Sequence, residues 1–172
     1  PPERHRQAAR EDSQSRGLRI VATATARVEQ NVLTQLKERF SEAIPEAKVE
    51  RKGRISVVVN KDRALQVARF LSDGLGFDHA IAVAGVDYPT EKKIVVIYIL
   101  SSYANEDLRH IALAMKIELD RDNPSMASLA SIWESANYHE RETCEMFGVN
   151  FEGHPNLKRL LLQDNWEGPP PM

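Results

Sequence analysis

The sequence predicts an α+β domain in which two helices pack on one face of a mixed or antiparallel sheet. Two observations carry this prediction. Apolar residues recur at helical spacing in two segments, and β-branched, alternating segments lie between and after them. The order is helix, two strands, helix and three strands, followed by a helical and then extended C-terminal interface segment. Packing both helices on one sheet face buries their apolar sides together.

The first helix is indicated by apolar residues at three- and four-residue spacing, namely Val28, Val32, Leu33, Leu36 and Phe40. A short strand near 47–50 and a stronger strand at 55–60 follow, with a turn at Gly53 between them. The second helix starts at 60–62 and ends at Gly74, because glycine commonly terminates helices.

Three further strands complete the predicted sheet. Residues 77–89 and 92–102 are rich in β-branched residues, and Pro89 lies in the turn between them. The segment 110–122 is compatible with a helix or a strand. Strict alternation predicts a strand, since apolar residues occupy every second position at Ile111, Leu113, Met115, Ile117 and Leu119.

The sequence divides into three regions. Residues 1–17 contain no large apolar residue and are predicted to form a flexible arm. The alternative of a basic nucleic-acid-binding arm is disfavoured, because acidic residues dilute its charge and it has no aromatic residue. Residues 18–125 form the α+β domain, and residues 126–172 form a C-terminal helix and an extended docking tail.

Composition excludes several classes of protein. The 172 residues are 42% hydrophobic and 28% charged, with a formal net charge of −2, so no general positive field favours nucleic acid. The single cysteine, Cys144, excludes an internal disulfide and an all-cysteine cluster site within this chain, and indicates a reducing environment. No apolar run approaches the roughly 18 residues of a membrane span.

The segment that starts at His139 resembles part of a zinc-protease motif. The pattern H-E-x-x-H places two histidines on one helical face, but Thr143 stands where the second histidine is required. A metal site would need a further ligand from His79, His110 or His154. We therefore predict no metal ligand, and interpret His139 and His154 as hydrogen-bonded surface or interface residues.

Nucleophilic and paired-carboxylate chemistry are also disfavoured. Cys144 lies between Glu142 and Glu145, whose negative charges would raise the pKa of its thiol. We predict that Cys144 is a small packing residue. The three carboxylates of this segment lie on one helix, whereas catalytic pairs usually face each other across a cleft. The sequence predicts no catalytic residue and no cofactor-binding residue.

The sequence permits two interpretations of the C-terminal helix. A continuous helix would place these residues in one stripe: Leu129, Ile132, Trp133, Ala136, Glu140, Thr143 and Phe147. A possible capping box at 131–134 instead predicts a short helix there and a second helix after Asn137. On the continuous interpretation Glu140 is buried, and Arg141, Lys158 and Arg159 are its candidate partners. The alternative is that Glu140 is solvated and belongs to a charged side of the helix with i, i+4 spacing.

The residues after this helix predict an extended tail. Gly148 should end the helix, and Gly153 permits an unusual turn before His154 and Pro155. The apolar run at 160–162 leaves no length for another domain, so we expect it to dock on its own sheet or on a partner.

These C-terminal residues resemble the signature of the 30-kilodalton subunit family of respiratory complex I, which has counterparts in membrane-bound energy-converting hydrogenases. The resemblance covers roughly residues 120–165. It is carried by Glu140, Arg141, Glu142, Glu145, Phe147, Gly148, Phe151, Gly153, His154, Pro155, Leu157 and Arg159.

The resemblance implies a noncatalytic subunit in a peripheral redox arm, held at the cytoplasmic side of the cell membrane by other subunits. Its implied partners are a large hydrogenase-like subunit and small iron–sulfur subunits. Iron–sulfur clusters and, in the hydrogenase type, a NiFe centre would lie in those partners. The motif residues would act as interface or fold-specifying residues, with ion pairs across the interface. Glu140→Ala and Arg159→Ala are then expected to weaken assembly while leaving the domain folded.

Two departures from the family pattern favour a membrane-bound hydrogenase or related archaeal complex. Respiratory members commonly have Asp where Glu145 stands, and they continue into a basic segment beyond the equivalent of 169–171. The alternative is the 30-kilodalton subunit of a quinone-reducing or other acceptor-reducing complex I-type dehydrogenase. A remote alternative is an independent metal- or cysteine-dependent hydrolase.

Overall fold

The structure is a computed structural model that describes residues 25–163 and 165–172. The predicted arm at 1–17 lies outside the described residues. Helix α1 covers residues 25–40. The next elements are β1 (Glu46–Arg51), β2 (Arg54–Val59), α2 (Ala64–Arg69), β3 (His79–Tyr88), β4 (Lys93–Ser101) and β5 (Ala112–Asp120). The C-terminal elements are β6 (Ser125–Ala127), α3 (Ala136–Phe147) and β7 (Asn150–Glu152).

Five strands form one mixed sheet in the order β1-β2-β5-β4-β3. The β2–β5 pair is parallel and the other pairs are antiparallel. The predicted α+β class and the predicted order of helices and strands are confirmed. The strand assignment of 110–122 is also confirmed, because β5 pairs with β2 on one side and β4 on the other. β6 and β7 form a separate two-stranded parallel sheet.

The hydrophobic core lies on one face of the large sheet. Side chains of α1 and α2, such as Leu36 and Val67, pack with Leu113, Met115 and Tyr98 from the central strands. All of these side chains are buried. Alternation along each strand sends the intervening residues to the opposite face. The amphipathic helices therefore cover one face, as the sequence predicted.

The C-terminal segment packs against the β4–β3 end of the same sheet. The indole nitrogen of Trp133 donates a hydrogen bond of 2.8 Å to the carbonyl oxygen of Phe77. The backbone nitrogen of Ala80 donates one of 3.1 Å to the hydroxyl of Ser135. Side chains from both 18–125 and 126–172 enter one hydrophobic core. Whether these ranges are separate folding units stays a prediction.

Helix α3 begins at Ala136, so the continuous helix from Leu129 is wrong. The preceding segment forms hydrogen-bonded turns instead, in which the backbone nitrogen of Trp133 donates to the carbonyl oxygen of Leu129 at 3.0 Å. Such turns have nearly the same spacing as a helix, which explains the apolar stripe in the sequence. Gly148 ends α3 with φ of 73°, as predicted. Among the described residues, no helix has both the length and the apolar character needed to cross a membrane.

Candidate interface site in the C-terminal segment

Glu140 of α3 is buried against the sheet. Its Oε1 accepts hydrogen bonds from the Tyr98 hydroxyl and the Leu129 backbone nitrogen, both at 2.8 Å. Its Oε2 accepts one from the Ser128 hydroxyl at 2.5 Å. The predicted burial is correct, and the alternative of a solvated carboxylate is wrong.

The predicted cationic partners of Glu140 are not its partners. Arg141 follows Glu140 in sequence, and consecutive helical residues do not face each other. The side chain of Arg141 contacts the carbonyl oxygens of Lys158 and Arg159 instead. Neutral donors within the chain therefore satisfy the carboxyl group of Glu140. Because Glu140→Ala would leave these buried donors without an acceptor, the expectation that this variant leaves the domain folded has to be corrected.

Burial raises the pKa of Glu140 above its ordinary value, and the hydrogen bonds from Ser128, Leu129 and Tyr98 offset only part of that effect. The pKa of Tyr98 is also raised well above its ordinary value, by burial and by the adjacent carboxylate. Tyr98 therefore remains a hydroxyl donor across the physiological pH range. The pair forms a polar cluster inside an apolar core.

His154 lies on the other side of the same carboxylate. Its Nδ1 accepts a hydrogen bond of 3.0 Å from the Asn156 backbone nitrogen, so its Nε2 carries the ring proton. That nitrogen lies 3.1 Å from the carbonyl oxygen of Asn137 and 3.9 Å from Glu140 Oε2. The turn that presents His154 uses Gly153 at φ of 77°, as predicted. His154 thus attaches the chain after β7 to α3.

Arg141 and Glu145 attach the C-terminal tail, residues 158–163 and 165–172, to a more exposed side of α3. The guanidinium of Arg141 donates to the carbonyl oxygens of Lys158 and Arg159, at 2.9 and 2.8 Å. The carboxylate of Glu145 accepts from three consecutive backbone nitrogens at 3.1, 2.8 and 2.8 Å, which belong to Leu160, Leu161 and Leu162. These two charged groups have partners within the chain, so their role as interface residues stays a prediction.

The backbone donors also set the ionisation of Glu145. Burial opposes the charge, but the N–H groups of 160–162 together with Arg159 outweigh it and lower the pKa of Glu145. Glu145 is therefore ionised at neutral pH. A carboxylate that accepts three main-chain hydrogen bonds holds the backbone of this loop in one conformation.

The far end of the tail folds back over α3. Arg159 donates to the carbonyl oxygens of Gln163 and Trp166 at 3.0 and 2.9 Å. The backbone nitrogen of Met172 donates to the carbonyl oxygen of Met146 at 3.0 Å. A cavity of about 270 Å³ lies between α3 and the tail, and Cys144 is among its lining residues. The tail is an ordered platform on the helix.

Large apolar side chains of this platform face solvent next to its contacts with Arg141, Glu145 and Arg159. Leu160, Leu161 and Trp166 are 39%, 59% and 41% exposed. We call them the tail patch. The rest of the predicted site lies beneath it or beside it: Phe151 is in the core, Phe147 and Leu157 pack against the core, and Glu142 and Pro155 are exposed.

The residues that suggested metal or nucleophilic chemistry do not converge. His139 Nδ1 lies 4.0 Å from Glu142 Oε2 near the surface, whereas His154 is buried on the other side of α3. Within the described residues, no group of three or more His, Cys, Asp or Glu side chains could hold a metal ion. Burial, with the neighbouring Glu145, raises the pKa of the Cys144 thiol, which makes it a poor nucleophile.

Sequence reasoning missed Tyr98 and Ser128 as members of the site. A signal for Tyr98 was present, since it alternates with Ile94, Val96 and Leu100 on the core side of β4. A phenol at such a position needs a hydrogen-bond partner inside the protein. Ser128 carries no comparable signal, because it lies in an irregular segment.

Comparison with known proteins identifies the family. Residues 57–172 match the family described as respiratory-chain NADH dehydrogenase, 30 Kd subunit. The chain belongs to this family. This confirms the resemblance inferred from the C-terminal residues. The chain is therefore a complex I-type 30-kilodalton subunit of an oxidoreductase complex.

Two curated relatives cover most of the chain. The C subunit of the F(420)H(2) dehydrogenase of Methanosarcina mazei is 39% identical over 141 residues, which span 82% of this chain and 87% of the relative. The C subunit of the NADH-quinone oxidoreductase of Roseiflexus sp. strain RS-1 is 42% identical over 139 residues, which span 77% of this chain and 78% of the relative.

Two solved structures share the fold. One is a chain of the membrane-bound sulfane sulfur reductase, an archaeal respiratory membrane complex, with a TM-score of 0.68 and 25% identity over 79% of this chain and 77% of that chain. The other is a trypsin-resistant fragment of Nqo5, with a TM-score of 0.60 and 25% identity over 72% of this chain and 97% of that fragment.

Proposed function

We propose that this protein is a noncatalytic subunit that joins the peripheral redox arm of a complex I-type oxidoreductase, and that its tail patch docks on the large hydrogenase-like subunit. The observation that carries this proposal is the ordered display of apolar residues. Arg141 and Glu145 fix the backbone of the tail while Leu160, Leu161 and Trp166 face solvent. Apolar side chains held in this way, with charged residues around them, are typical of an interface between subunits.

The reaction would take place in the partners. Iron–sulfur clusters of the neighbouring subunits would carry the electrons, and membrane subunits would couple their transfer to ion translocation. The chain would lie on the cytoplasmic side of the membrane and be held there by those subunits. The lack of a metal-binding cluster among the described residues is compatible with this division of labour.

We favour a dehydrogenase complex over a membrane-bound [NiFe]-hydrogenase. The names of the two relatives support this choice, since they belong to an F(420)H(2) dehydrogenase and an NADH-quinone oxidoreductase at 39% and 42% identity. The hydrogenase expected from the sequence is the second candidate, and the glutamate at position 145 is the observation that favours it.

Affinity purification from gently solubilised membranes tests the proposal. A tagged chain should recover a large hydrogenase-like subunit together with iron–sulfur absorbance, and mass spectrometry of the recovered proteins would distinguish a dehydrogenase from a hydrogenase. Leu161→Glu should reduce recovery at least about tenfold, because a charge would be buried unpaired at the interface.

The matched control is Tyr103→Glu, which changes another exposed large side chain (77% exposed) in the loop after β4. It should retain the partner. Recovery of the wild-type chain alone, or equal recovery with Leu161→Glu, would contradict the proposed function.

A further inference from the structure

The two edges of the large sheet differ in how they are protected. The β1 edge has the sequence EAKVER, with four charged residues in six positions. It also has a bulge between Val49 and Arg51. Charges and bulges are the usual means by which proteins prevent another strand from pairing with an edge. The β1 edge is therefore built to stay unpaired.

The β3 edge lacks this protection over most of its length. Residues 81–86 carry no charge, and Asp87 at the end is paired with Arg121 at 2.8 Å. Pairing with β4 is regular from Ala82 to Tyr88, after a bulge at its start. Alternate backbone N–H and C=O groups of an edge strand point away from its neighbour. Beyond the pairing with β4, residues 81–86 make no backbone hydrogen bond to any described part of the chain.

The other described residues leave this edge accessible. The loop before α3 covers only its start, where Ala80 donates to Ser135. The open face of the sheet is shielded by the stems of paired charged residues, such as Lys93 with Glu118 at 2.9 Å and Lys116 with Glu50 at 3.2 Å.

Helix α3 connects the unprotected edge with the tail. Helix α3 packs directly on β3, since the Phe147 ring lies so close to Gly85 that a methyl group there would meet it at 2.5 Å. The tail is bound to α3 through Arg141 and Glu145. The tail and β3 therefore contact the same helix, and a partner that docks on the tail patch has to cross only that helix to reach the edge of β3.

We propose that β3 accepts an added strand from the same neighbouring subunit that docks on the tail patch, through main-chain hydrogen bonds along residues 81–87. This inference rests on the proposed function, because it assigns a second contact to the same partner. The added strand would be uncharged and would carry larger apolar residues beside Ala82 and Ala84, whose small side chains leave room on the open face. Strand addition of this kind gives affinity through the backbone and specificity through alternate side chains.

Hydrogen exchange measured by mass spectrometry tests the inference on the full chain alone and on the purified complex. In the complex, the outward-facing amides of 81–87 should exchange at least about tenfold more slowly than in the chain alone. The amides of 46–51 in β1 should exchange equally in both samples. Unchanged exchange at 81–87 would overturn the inference. Slow exchange already in the isolated chain would also overturn it, because this chain or a second copy of it would then cover the edge.

A substitution in β3 provides an independent test of the strand addition. Ala84→Lys places a charge on the exposed side of the β3 edge. Recovery of the large subunit should fall at least about tenfold while the urea midpoint of the chain stays unchanged. Ala104→Lys makes the same change at an exposed alanine outside β3 and should retain the partner. Equal recovery for the two variants would overturn the strand addition.

The outcome also separates the two proposals. Recovery of the partner without protection of 81–87 would remove the strand addition and leave the tail docking intact. Failure of the wild-type chain to recover any partner would remove both.

Discussion

Glu140 connects four parts of the chain through one carboxyl group. Tyr98 comes from β4, Ser128 and Leu129 from the segment after β6, and His154 from the turn after β7. The group lies in the core, so every lone pair that lacks a donor would be costly. Glu140 is a fold-specifying residue in this structure. Its removal should lower the free energy of unfolding, and any effect on assembly should follow from that loss of stability.

We expect Glu140→Ala to lower the free energy of unfolding by at least about 3 kcal/mol, because it leaves two hydroxyls and one backbone N–H buried without an acceptor. Glu140→Gln should cost clearly less, since the amide oxygen can accept and the amide nitrogen can donate to Ser128. Urea unfolding of the full chain measures both values. The control is Glu142→Ala, because the side chain of Glu142 is 51% exposed on the same helix. The free energy of unfolding of this variant should stay within about 0.5 kcal/mol of the wild type. Equal values for Glu140→Ala and Glu142→Ala would contradict the assigned role.

The raised pKa of Glu140 predicts a specific pH dependence of stability. The folded protein binds this proton more tightly than the unfolded chain does. The contribution is therefore complete below the ordinary value of 4.5 and is lost as the pH rises through the raised pKa. The unfolding free energy of the wild type relative to Glu140→Gln should fall as the pH rises from the ordinary value of 4.5 through the raised pKa. A constant difference across that range would show that Glu140 titrates normally.

At the scale of the elements, α3 is fixed on opposite sides by different chemistry. Its core side is fixed by Glu140 and by packing on β3. Its other side holds the tail through Arg141 and Glu145. The two attachments should therefore respond separately to substitution.

We expect Glu145→Ala to release the tail without unfolding α3. Three backbone N–H groups lose their shared acceptor. Amide exchange at 160–162 should accelerate at least about tenfold, while exchange in β4 and β5 stays unchanged. Hydrogen exchange by mass spectrometry measures this, with Glu142→Ala as the control on the same helix. Acceleration throughout α3 would indicate that the tail and the helix unfold together.

Gly85 controls the distance between α3 and β3. A Cβ at this position would lie 2.5 Å from the Phe147 ring, which is closer than atoms can approach. Gly85→Ala should therefore cost about 1–3 kcal/mol through overpacking. The double variant Gly85→Ala with Phe147→Leu should recover part of that loss, and thermal unfolding of the single and double variants measures it. A neutral effect of Gly85→Ala would contradict the close packing.

The sequence predicted elements well where the apolar period was unambiguous. The strict alternation from Ile111 to Leu119 identified β5 even though the segment also suits a helix. The start of α3 could not be predicted, because the turns at 129–135 keep a helix-like spacing. The partners of Glu140 could not be predicted either, since Tyr98 lies 42 residues away and meets it only through the tertiary fold.

At the scale of the whole molecule, one hydrophobic core spans the large sheet, the helices α1 to α3 and the small β6–β7 sheet. The tail stays outside it. The family signature in the sequence predicted the class of protein, because its residues are concentrated in the segment that both completes this core and displays the tail. The sequence could not show that the side chains of Arg141 and Glu145 would form hydrogen bonds with the backbone of the tail.

Removal of the tail should separate folding from assembly. Two hydrogen bonds from Arg141, three to the carboxylate of Glu145 and one from the backbone nitrogen of Met172 to Met146 attach it to α3. None of its described side chains belongs to the hydrophobic core. The tail therefore contributes little to the stability of the rest of the chain.

A chain that ends at Leu157 should accordingly unfold within about 1 kcal/mol of the full chain, because the core side chains are all retained. It should lose the large subunit in affinity purification. Glu140→Ala provides the opposite case, since it weakens the fold and leaves the tail sequence complete. Urea unfolding and affinity purification of both variants side by side measure the separation. Retention of the partner by the shortened chain would place the docking surface on the α+β domain, and loss of its folded structure would place the tail inside the folding unit.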